Sequence, residues 1–452
     1  MSFGIPLSYA ELQNNLAIPS QMVGDELKSF SKSARSNVRS VPTSSGSVGA
    51  ASNILFNIPT GGYDYIKSNS MYLKCDITIN SLHSTNASAS STFFAGQSNS
   101  ATTNLGGASS IINRINCLIG GTSLSYPNYQ HFRNAVLPHV VSNQFISNDL
   151  RQLEYAGVAL VGNSTASTAT VPSTLSNVVS VAIPLFIPPF CSNQAFPSLL
   201  LQTPISIEIL TENVKSAFYS IESEVTDYSV SSASLVYETI TVSSEFKQAL
   251  LQSKAGQMYN IKLNDWMSVG PTASQNPLIY QIGCGLSSLR SVLWTYQLAA
   301  DLTATTGKPK KYASNGLTDY KVHVNNLQIS VNNPDNDAVA YAELNRALSK
   351  INDYNITSSF NVETNTNTSG LRNTYTSHNF LAGASCDVFS DYGYDQTGIP
   401  ASTVTLELTS SNPSARKWQA NTAHDSANLY VFMMHDSLLS VDVSSGVVMV
   451  RK

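Results

Sequence analysis

The segment Thr203-Pro-Ile-Ser-Ile-Glu-Ile209 carries apolar residues at alternate positions, and Ser402-Thr-Val-Thr-Leu-Glu-Leu408 repeats the pattern about 200 residues later. Successive side chains of a β-strand point to opposite faces of a sheet, so this alternation predicts strands with one buried face. Residues 71–79 alternate in the same way. A strand pattern that returns at such a distance predicts two similar all-β halves.

The same order of elements surrounds the alternating strand in each half. Each half opens with a strand, a turn and a second strand, at Ile54–Ile79 and Ile279–Leu298, and each closes on an apolar strand, at Leu235–Ile240 and Leu429–Met434. Short strands bounded by turn residues are typical of β-sandwiches, whereas propellers and solenoids repeat at shorter periods. We therefore expect two sandwiches in tandem.

Each half also contains a strand, a polar turn and a helical stretch, in that order. The turn includes Pro127-Asn128 in the first half and Pro334-Asp335 in the second, and helical patterns follow at His131–Val141 and Ala338–Ile351. Asp337 suits the N-cap of the second helix, because its side chain can accept a hydrogen bond from the first helical turn. The sequence thus predicts one short helix per half.

Insertions rich in serine, threonine and asparagine interrupt both halves, and a connector joins them. The insertions lie at 81–108, 162–176 and 355–378, and residues 243–256 have the apolar spacing of a helical connector. The predicted division of the chain, in order, is an N-terminal helical and flexible arm at 1–52, a first sandwich at 53–242, the connector at 243–256 and a second sandwich at 257–452.

The composition favours β structure and neutral surfaces. Charged residues make up 12% of the 452 residues, about half of the usual share in soluble proteins, and serine, threonine and asparagine are abundant instead. A surface with few charges repels copies of itself weakly, which favours wide protein–protein contacts. The alternative is an extracellular β protein whose low charge has no bearing on assembly.

Net charge and cysteine usage exclude several classes of protein. A net charge of −4 gives the folded bulk no attraction for nucleic acid. The N-terminus lacks a basic segment followed by a long apolar run, so we expect no secretory signal. The cysteines form no C-x-x-C pair and predict a reducing assembly compartment, with neither a disulfide framework nor a zinc site. They are Cys75, Cys117, Cys191, Cys284 and Cys386.

The arm carries the one basic feature of the chain. Residues 8–30 have helical apolar spacing broken at Pro19, and residues 31–53 are rich in serine, glycine and alanine, which predicts a flexible arm or linker. Such an arm could contact packaged nucleic acid, an anionic membrane or a neighbouring subunit, or it could be an ordinary solvated tail. Its four basic residues, which lie in a span without an acid, are Lys28, Lys32, Arg35 and Arg39.

The sequence predicts no catalytic, cofactor-binding or metal-binding site. His424-Asp425 and His435-Asp436 are dipeptides whose side chains would point to opposite faces of a strand, so neither pair can act on one ligand. Gly283-Cys-Gly285 lacks the rest of a dinucleotide-binding fingerprint, and Gly307-Lys308 lacks that of a P-loop. No G-x-S-x-G elbow is present. The chain is not expected to be an enzyme.

The layout resembles the double jelly-roll major capsid proteins of tailless icosahedral DNA viruses, the lineage of adenovirus-like hexons, polinton-like viruses and virophages. The resemblance covers residues 53–452. Three passages carry it: the helix after Asn332-Asn-Pro-Asp-Asn336, the passage from Ile187-Pro-Pro-Phe190 to Thr203-Pro-Ile-Ser-Ile-Glu208, and the ending from Tyr430 to Val450.

The resemblance implies an all-β fold of two tandem jelly-roll β-sandwiches, with a short helix in each half and an extended N-terminal arm. It further implies that three copies form a pseudo-hexagonal capsomer and that capsomers tile an icosahedral shell, with the insertions on the outer tops and the arm beneath. The expected partners are two further copies, neighbouring capsomers, penton and minor capsid proteins, and the genome or an inner membrane through the arm. The expected location is the virion, assembled inside the host cell.

Two other functions fit parts of the sequence. A glycan-binding host-recognition protein of a virus or cell surface could use sandwich loops, but its loops would more often carry aromatic residues beside paired Asp or Asn. The loops at 85–108 and 162–176 are mostly Ser, Thr, Asn, Ala and Gly. A minor or vertex capsid protein with a single jelly roll is the second alternative, and the parallel layout of the second half argues against it.

Overall fold

The structure is a computed structural model, and the account below concerns the residues that it describes. These are residues 35–83, 91–95, 106–140, 149–156, 160–162, 174–192, 194–221, 223–254, 256–273, 276–298, 312–330, 334, 336–348, 380–389, 396–410 and 427–452. The predicted helical stretch at 8–30 and most of the predicted insertions lie outside them.

Strands dominate both halves. Those of the first half are β1 (Arg35–Pro42), β2 (Val48–Gly49), β3 (Asn53–Ile58), β4 (Asp64–Ile66), β5 (Tyr72–His83), β6 (Ser91–Phe94), β7 (Ile112–Ile119), β8 (Thr122–Tyr126), β9 (Val161–Gly162), β10 (Thr174–Pro184), β11 (Ile205–Thr211), β12 (Phe218–Ile221) and β13 (Ser223–Thr241). Those of the second half are β14 (Met258–Ala273), β15 (Leu278–Leu298), β16 (Tyr312–Ala313), β17 (Leu317–Val324), β18 (Leu327–Gln328), β19 (Ala382–Ser385), β20 (Val388–Phe389), β21 (Gln396–Thr397), β22 (Ile399–Ser410), β23 (Ala427–Asp442) and β24 (Val448–Arg451). The α-helices are α1 (Tyr129–Val140), α2 (Arg151–Glu154), α3 (Val214–Ala217), α4 (Ser244–Ser253) and α5 (Asp337–Ala347).

The first half is a sandwich of two antiparallel sheets. One sheet has the main strand order β1-β13-β5-β10 and the other has the order β3-β11-β7-β8. The chain moves back and forth between the two sheets, which is the jelly-roll arrangement. The alternation along β5 and β11 puts their apolar residues in the core, where Leu73 and Ile207 are fully buried. The predicted half-buried strands are therefore present.

The second half repeats this strand order with one difference. Its main strands form one continuous sheet that folds over at β15, with the order β14-β23-β15-β19 in the first layer and β15-β22-β17-β18 in the second. The long strand β15 belongs to both sheets: Leu278–Leu289 pairs with β22, and Leu289–Leu298 pairs with β23. Each half also has a helix after the fourth strand of its second sheet, α1 after β8 and α5 after β18. The predicted fold class of two tandem jelly rolls is confirmed.

Two local predictions were wrong. Residues 35–42 do not form part of a flexible linker, because β1 pairs with β13 along its whole length, from Arg35 opposite Thr241 to Pro42 opposite Ser234. The N-cap of α5 is Asn336 and not Asp337, since the Asn336 side chain accepts a hydrogen bond of 2.9 Å from the backbone N–H of Val339.

No helix within the described ranges is long and apolar enough to span a membrane. The five cysteines are free thiols, three of them buried. Burial raises the pKa of Cys75 to about 12, so this thiol is protonated at neutral pH.

Gly398, just before β22, lies where β15 passes from one sheet to the other. A Cβ on Gly398 would overlap the backbone carbonyl of Leu289, which cannot move aside without disturbing the pairing of β15. We expect Gly398→Ala to lower the thermal unfolding midpoint by about 2 °C or more, since overpacking against backbone costs at least about 1 kcal/mol. The measurement is differential scanning calorimetry.

The matched control is Gly283→Ala. Gly283 lies on β15 itself, and no heavy atom stands within 4 Å of its added Cβ. Its midpoint should stay within about 1 °C of the wild type. Equal effects of the two substitutions would contradict the assigned crossing.

Candidate functional site

The structure describes two of the four basic residues predicted for the arm. Arg35 and Arg39 lie on β1 and are exposed, whereas Lys28 and Lys32 lie outside the described residues. Arg39 forms an ion pair with Asp64 of β4, with 3.1 Å between Nη2 and Oδ2. The acid that the arm lacks in sequence thus comes from a neighbouring strand.

The described residues contain no cluster of three His, Cys, Asp or Glu side chains that could hold a metal ion. Within the dipeptide of β23, Asp436 accepts a hydrogen bond of 2.8 Å from the Ser288 hydroxyl, and His435 is buried. The other dipeptide, at 424–425, lies outside the described residues.

The most elaborate set of side-chain contacts lies at the junction between the two sandwiches. Helix α1 of the first half lies against the outer face of the sheet β14-β23-β15 of the second half. Phe132 stacks on Trp266, with ring centroids 4.1 Å apart and an interplanar angle of 6°, and meets Phe432 edge-on at 5.5 Å. His131 stacks on Tyr430 at 4.1 Å. These ring pairs, in which Phe132 is only partly buried, join the two halves into one core.

Hydrogen bonds fix the orientation of α1 on the second half. Asn128, just before the helix, donates from Nδ2 to the Ser268 hydroxyl at 2.8 Å and to the Gly270 carbonyl at 3.1 Å. His131 Nδ1 and the Tyr312 hydroxyl are 3.0 Å apart. Aromatic packing alone would allow sliding, so these directional bonds set the register of the contact.

A buried ion pair anchors α1 to its own half. Arg133 binds Glu154 of α2 through two hydrogen bonds, and both side chains are almost fully buried. Burial by itself would lower the pKa of Arg133, but the Glu154 carboxylate raises it, so the guanidinium stays charged. Glu154 also accepts from the backbone N–H of Ser109 at 3.1 Å, and the guanidinium lies 5.4 Å from the centre of the Phe186 ring.

A cavity of about 450 Å³ lies beside the aromatic stack. Val136 of α1 lines one side, Leu293 and Met434 line the other, and the ion pair between Arg290 and Asp387 lies at its wall. The helix and the sheet therefore do not interdigitate everywhere, and the ring contacts and hydrogen bonds around the cavity hold the junction.

His435 also lines this cavity, and it is the buried titratable group with the clearest pH dependence. Burial lowers its pKa below the usual 6.5, although Asp265 on the paired position of β14 acts in the opposite direction. Among the described residues, its Nε2 has no hydrogen-bond partner. The neutral imidazole is therefore the form that the fold accommodates.

Sequence reasoning missed this junction. The pattern at His131–Val141 predicted a helix, but nothing in the sequence linked that helix to the strand that carries Trp266. The one available signal was the density of aromatic residues at 126–132 and 430–432, because such clusters need a large apolar surface to cover them.

Removing the negative charge of Glu154 should destabilise the first half strongly. Glu154→Gln leaves the Arg133 guanidinium buried without a counter-charge, which costs about 3–5 kcal/mol in comparable pairs. Glu238→Gln is the control, because Glu238 and Lys67 form an exposed pair worth less than about 1 kcal/mol. Urea unfolding followed by far-UV circular dichroism measures both, and similar losses would contradict the assigned role.

Acid should weaken the structure through His435. Its folded-state pKa lies below its unfolded-state value, so the unfolded chain takes up the proton first. Stability is then unaffected well above pH 6.5 and falls as the pH drops below it, by at most about 1.4 kcal/mol per pH unit. His435→Gln should lose less stability than the wild type between pH 7 and pH 5. Urea unfolding at each pH measures the two slopes, and identical slopes for the two proteins would contradict the assignment.

No protein-family model matches this sequence, and no curated protein matches it significantly. Solved structures do match. The structure of PBCV-1 VP54 fitted into a cryo-EM reconstruction of the virophage Sputnik has a TM-score of 0.56 and 13% identity over 93% of this chain and 97% of that chain. The Faustovirus major capsid protein has a TM-score of 0.53 and 9% identity, covering 90% of each chain.

The crystal structure of the mavirus major capsid protein aligns with all of this chain and 95% of its own, with a TM-score of 0.51 and 11% identity. Identities this low establish a shared fold and leave function to be argued separately. This chain has the double jelly-roll fold found in these viral capsid proteins, as the resemblance of its sequence implied.

Proposed function

We propose that this chain is a major capsid protein that assembles as a homotrimeric, pseudo-hexagonal capsomer of an icosahedral virus shell. One observation carries the proposal. A single chain holds two jelly rolls of the same strand order, locked together by a buried junction, and capsid proteins align with this arrangement over nine-tenths or more of its length.

A chain with two sandwiches suits this role because each copy contributes two rigid jelly rolls to the capsomer. Three copies present six similar sandwiches around a threefold axis, which approximates a hexagon. Head-to-tail contacts that close into a ring give a finite particle, and flat sides then remain for lateral tiling. The buried junction supports this reading, since a flexible link between the sandwiches would not hold the angle that a closed ring needs.

Polar surfaces with few charges support lateral contacts. On the outer face of the sheet β3-β11-β7-β8, Asn116 donates to Glu208 at 2.8 Å and accepts from Ser125 at 2.7 Å, and Ser206 donates to Asn57 at 2.7 Å. Side chains held in this way lose little entropy when another surface covers them. Neighbouring capsomers, penton and minor capsid proteins are the proposed partners.

The arm is the proposed inner contact. We propose that Lys28, Lys32 and Arg35 touch packaged nucleic acid, an inner membrane or a neighbouring subunit, with Arg39 sharing its charge with Asp64. The exposure of Arg35 on β1 supports this. We also propose that the first sandwich starts at β1, ahead of the expected boundary at residue 53, with α4 inside the connector at 243–256.

The proposed location is the virion, with assembly inside the host cell, and the proposed role is structural, without catalysis. A glycan-binding host-recognition protein is the alternative from another class, and a minor or vertex capsid protein is the nearer one. The second full sandwich favours the major capsid protein over the vertex protein.

The test is the oligomeric state of the purified full chain. Size exclusion with light scattering should give a particle with the mass of three 48.6 kDa chains, and electron microscopy should give hexagonal outlines. A stable monomer that binds glycans on an array would instead favour the host-recognition protein.

A further inference from the structure

The contact between α1 and the second sandwich covers a sheet face that has an uncovered counterpart. In the second half, the outer face of β14 and β23 carries Trp266 and Phe432, which are 4% and 0% exposed because α1 lies on them. By strand order, β1 corresponds to β14 and β13 corresponds to β23. The outer face of β1 and β13, called here the β1–β13 face, is therefore the equivalent surface of the first half.

The β1 side of the β1–β13 face is open in the single chain, whereas Val236 of β13, opposite Ser40, is buried. Val38 stands at its centre with 69% of its surface exposed, and Ser36 and Ser40 on either side are exposed as well. Ile240, opposite Ser36 on β13, is half-buried. An exposed valine between two serines leaves a flat stretch of β1 on which another element can pack.

The helix equivalent to α1 has a matching exposed side. Helix α5 buries Ala340 and Leu344 against its own half, and it exposes Ala338 and Ala342, one turn apart. A helix side of small residues can approach a flat strand surface closely. Within the chain, the large rings of Trp266 and Phe432 contact the large ring of Phe132. On the β1–β13 face, Ser36 and Ser40 are small, and so are the exposed residues of α5.

We propose that α5 of one copy packs on the β1–β13 face of a second copy, and so repeats between chains the contact that α1 makes within the chain. The inference rests on the proposed trimer. Each chain offers one such helix and one such face, so three copies satisfy one another in a closed ring. Six helix-on-sheet contacts then join six sandwiches, three within chains and three between them.

Charged groups on both surfaces fit a contact between copies. Glu238, directly opposite Val38 on the β1–β13 face, pairs with Lys67, and Arg346 at the end of α5 lies 3.5 Å from Glu343. Each surface carries both signs, so the two surfaces do not repel each other.

A cysteine pair tests the contact directly. The full chain with Val38→Cys and Ala342→Cys is oxidised mildly and analysed on non-reducing gels and by mass photometry. We expect covalent dimers and trimers from the double variant and none from either single variant. The native cysteines are a modest background, because Cys75, Cys117 and Cys386 are buried and the other two are half-buried.

A charge substitution tests how much the β1–β13 face contributes to trimer formation. Val38→Arg should raise at least tenfold the concentration at which half of the protein is trimeric, while the thermal midpoint of the monomer stays unchanged. The matched control is Ile279→Arg, because Ile279 is also 69% exposed but lies on the outer face of the other sheet of the second half. It should leave the trimer intact.

The outcomes separate the two proposals. A wild-type chain that stays monomeric overturns the trimer and this contact together. A wild-type trimer with neither a cross-link nor an effect of Val38→Arg overturns the contact alone. Dissociation by Ile279→Arg with no effect of Val38→Arg would move the contact to the other sheet and overturn the present assignment.

Discussion

The stack of Phe132 on Trp266 is the contact on which the architecture of this chain depends. Each sandwich has its own pair of sheets, but the angle between them is set where α1 meets the outer face of the second half. The stacked rings bury apolar surface, and the hydrogen bond from Asn128 fixes the orientation of α1 on the sheet. The buried pair of Arg133 and Glu154 transmits this orientation to the first sandwich, because it ties α1 to α2.

The two halves keep one strand order while they differ in detail. In the first half, the strands equivalent to the two parts of β15 are separate, as β3 and β5, whereas β15 continues through Leu289 without a break. Gly398 makes room for this passage. The helices also differ, since α1 carries large rings and α5 carries alanines on the exposed side. Strand order is thus preserved by the pairing of backbones, and side chains are free to diverge where their neighbours differ.

Much of the fold could be predicted from the sequence because half-buried strands carry a period of two. The sequence pattern predicted the alternating strands β5, β11 and β22. It also predicted the helix after each polar turn and the duplication of the sandwich. Strand β1 was not, because its residues are exposed on both faces and Val38 has no apolar partner at positions 36 and 40. The N-cap was misplaced by one residue, since Asn336 and Asp337 have similar capping preferences. The contact between the two sandwiches could not be predicted, because Phe132 and Trp266 are distant in sequence and each could equally belong to the core of its own half.

The pairing of β1 with β13 has a consequence for how the chain is made. Arg35 lies opposite Thr241, so the strand that starts the first sandwich has no partner until more than 200 further residues have been synthesised. At a translation rate of about 5–20 residues per second, that delay is at least about 10 s. During it β1 and the edge of β5 that later pairs with β13 lack a neighbour, and unpaired strands of this kind recruit other chains. The polar residues along β1 keep that strand soluble until β13 is made, and the same residues remain exposed in the folded chain.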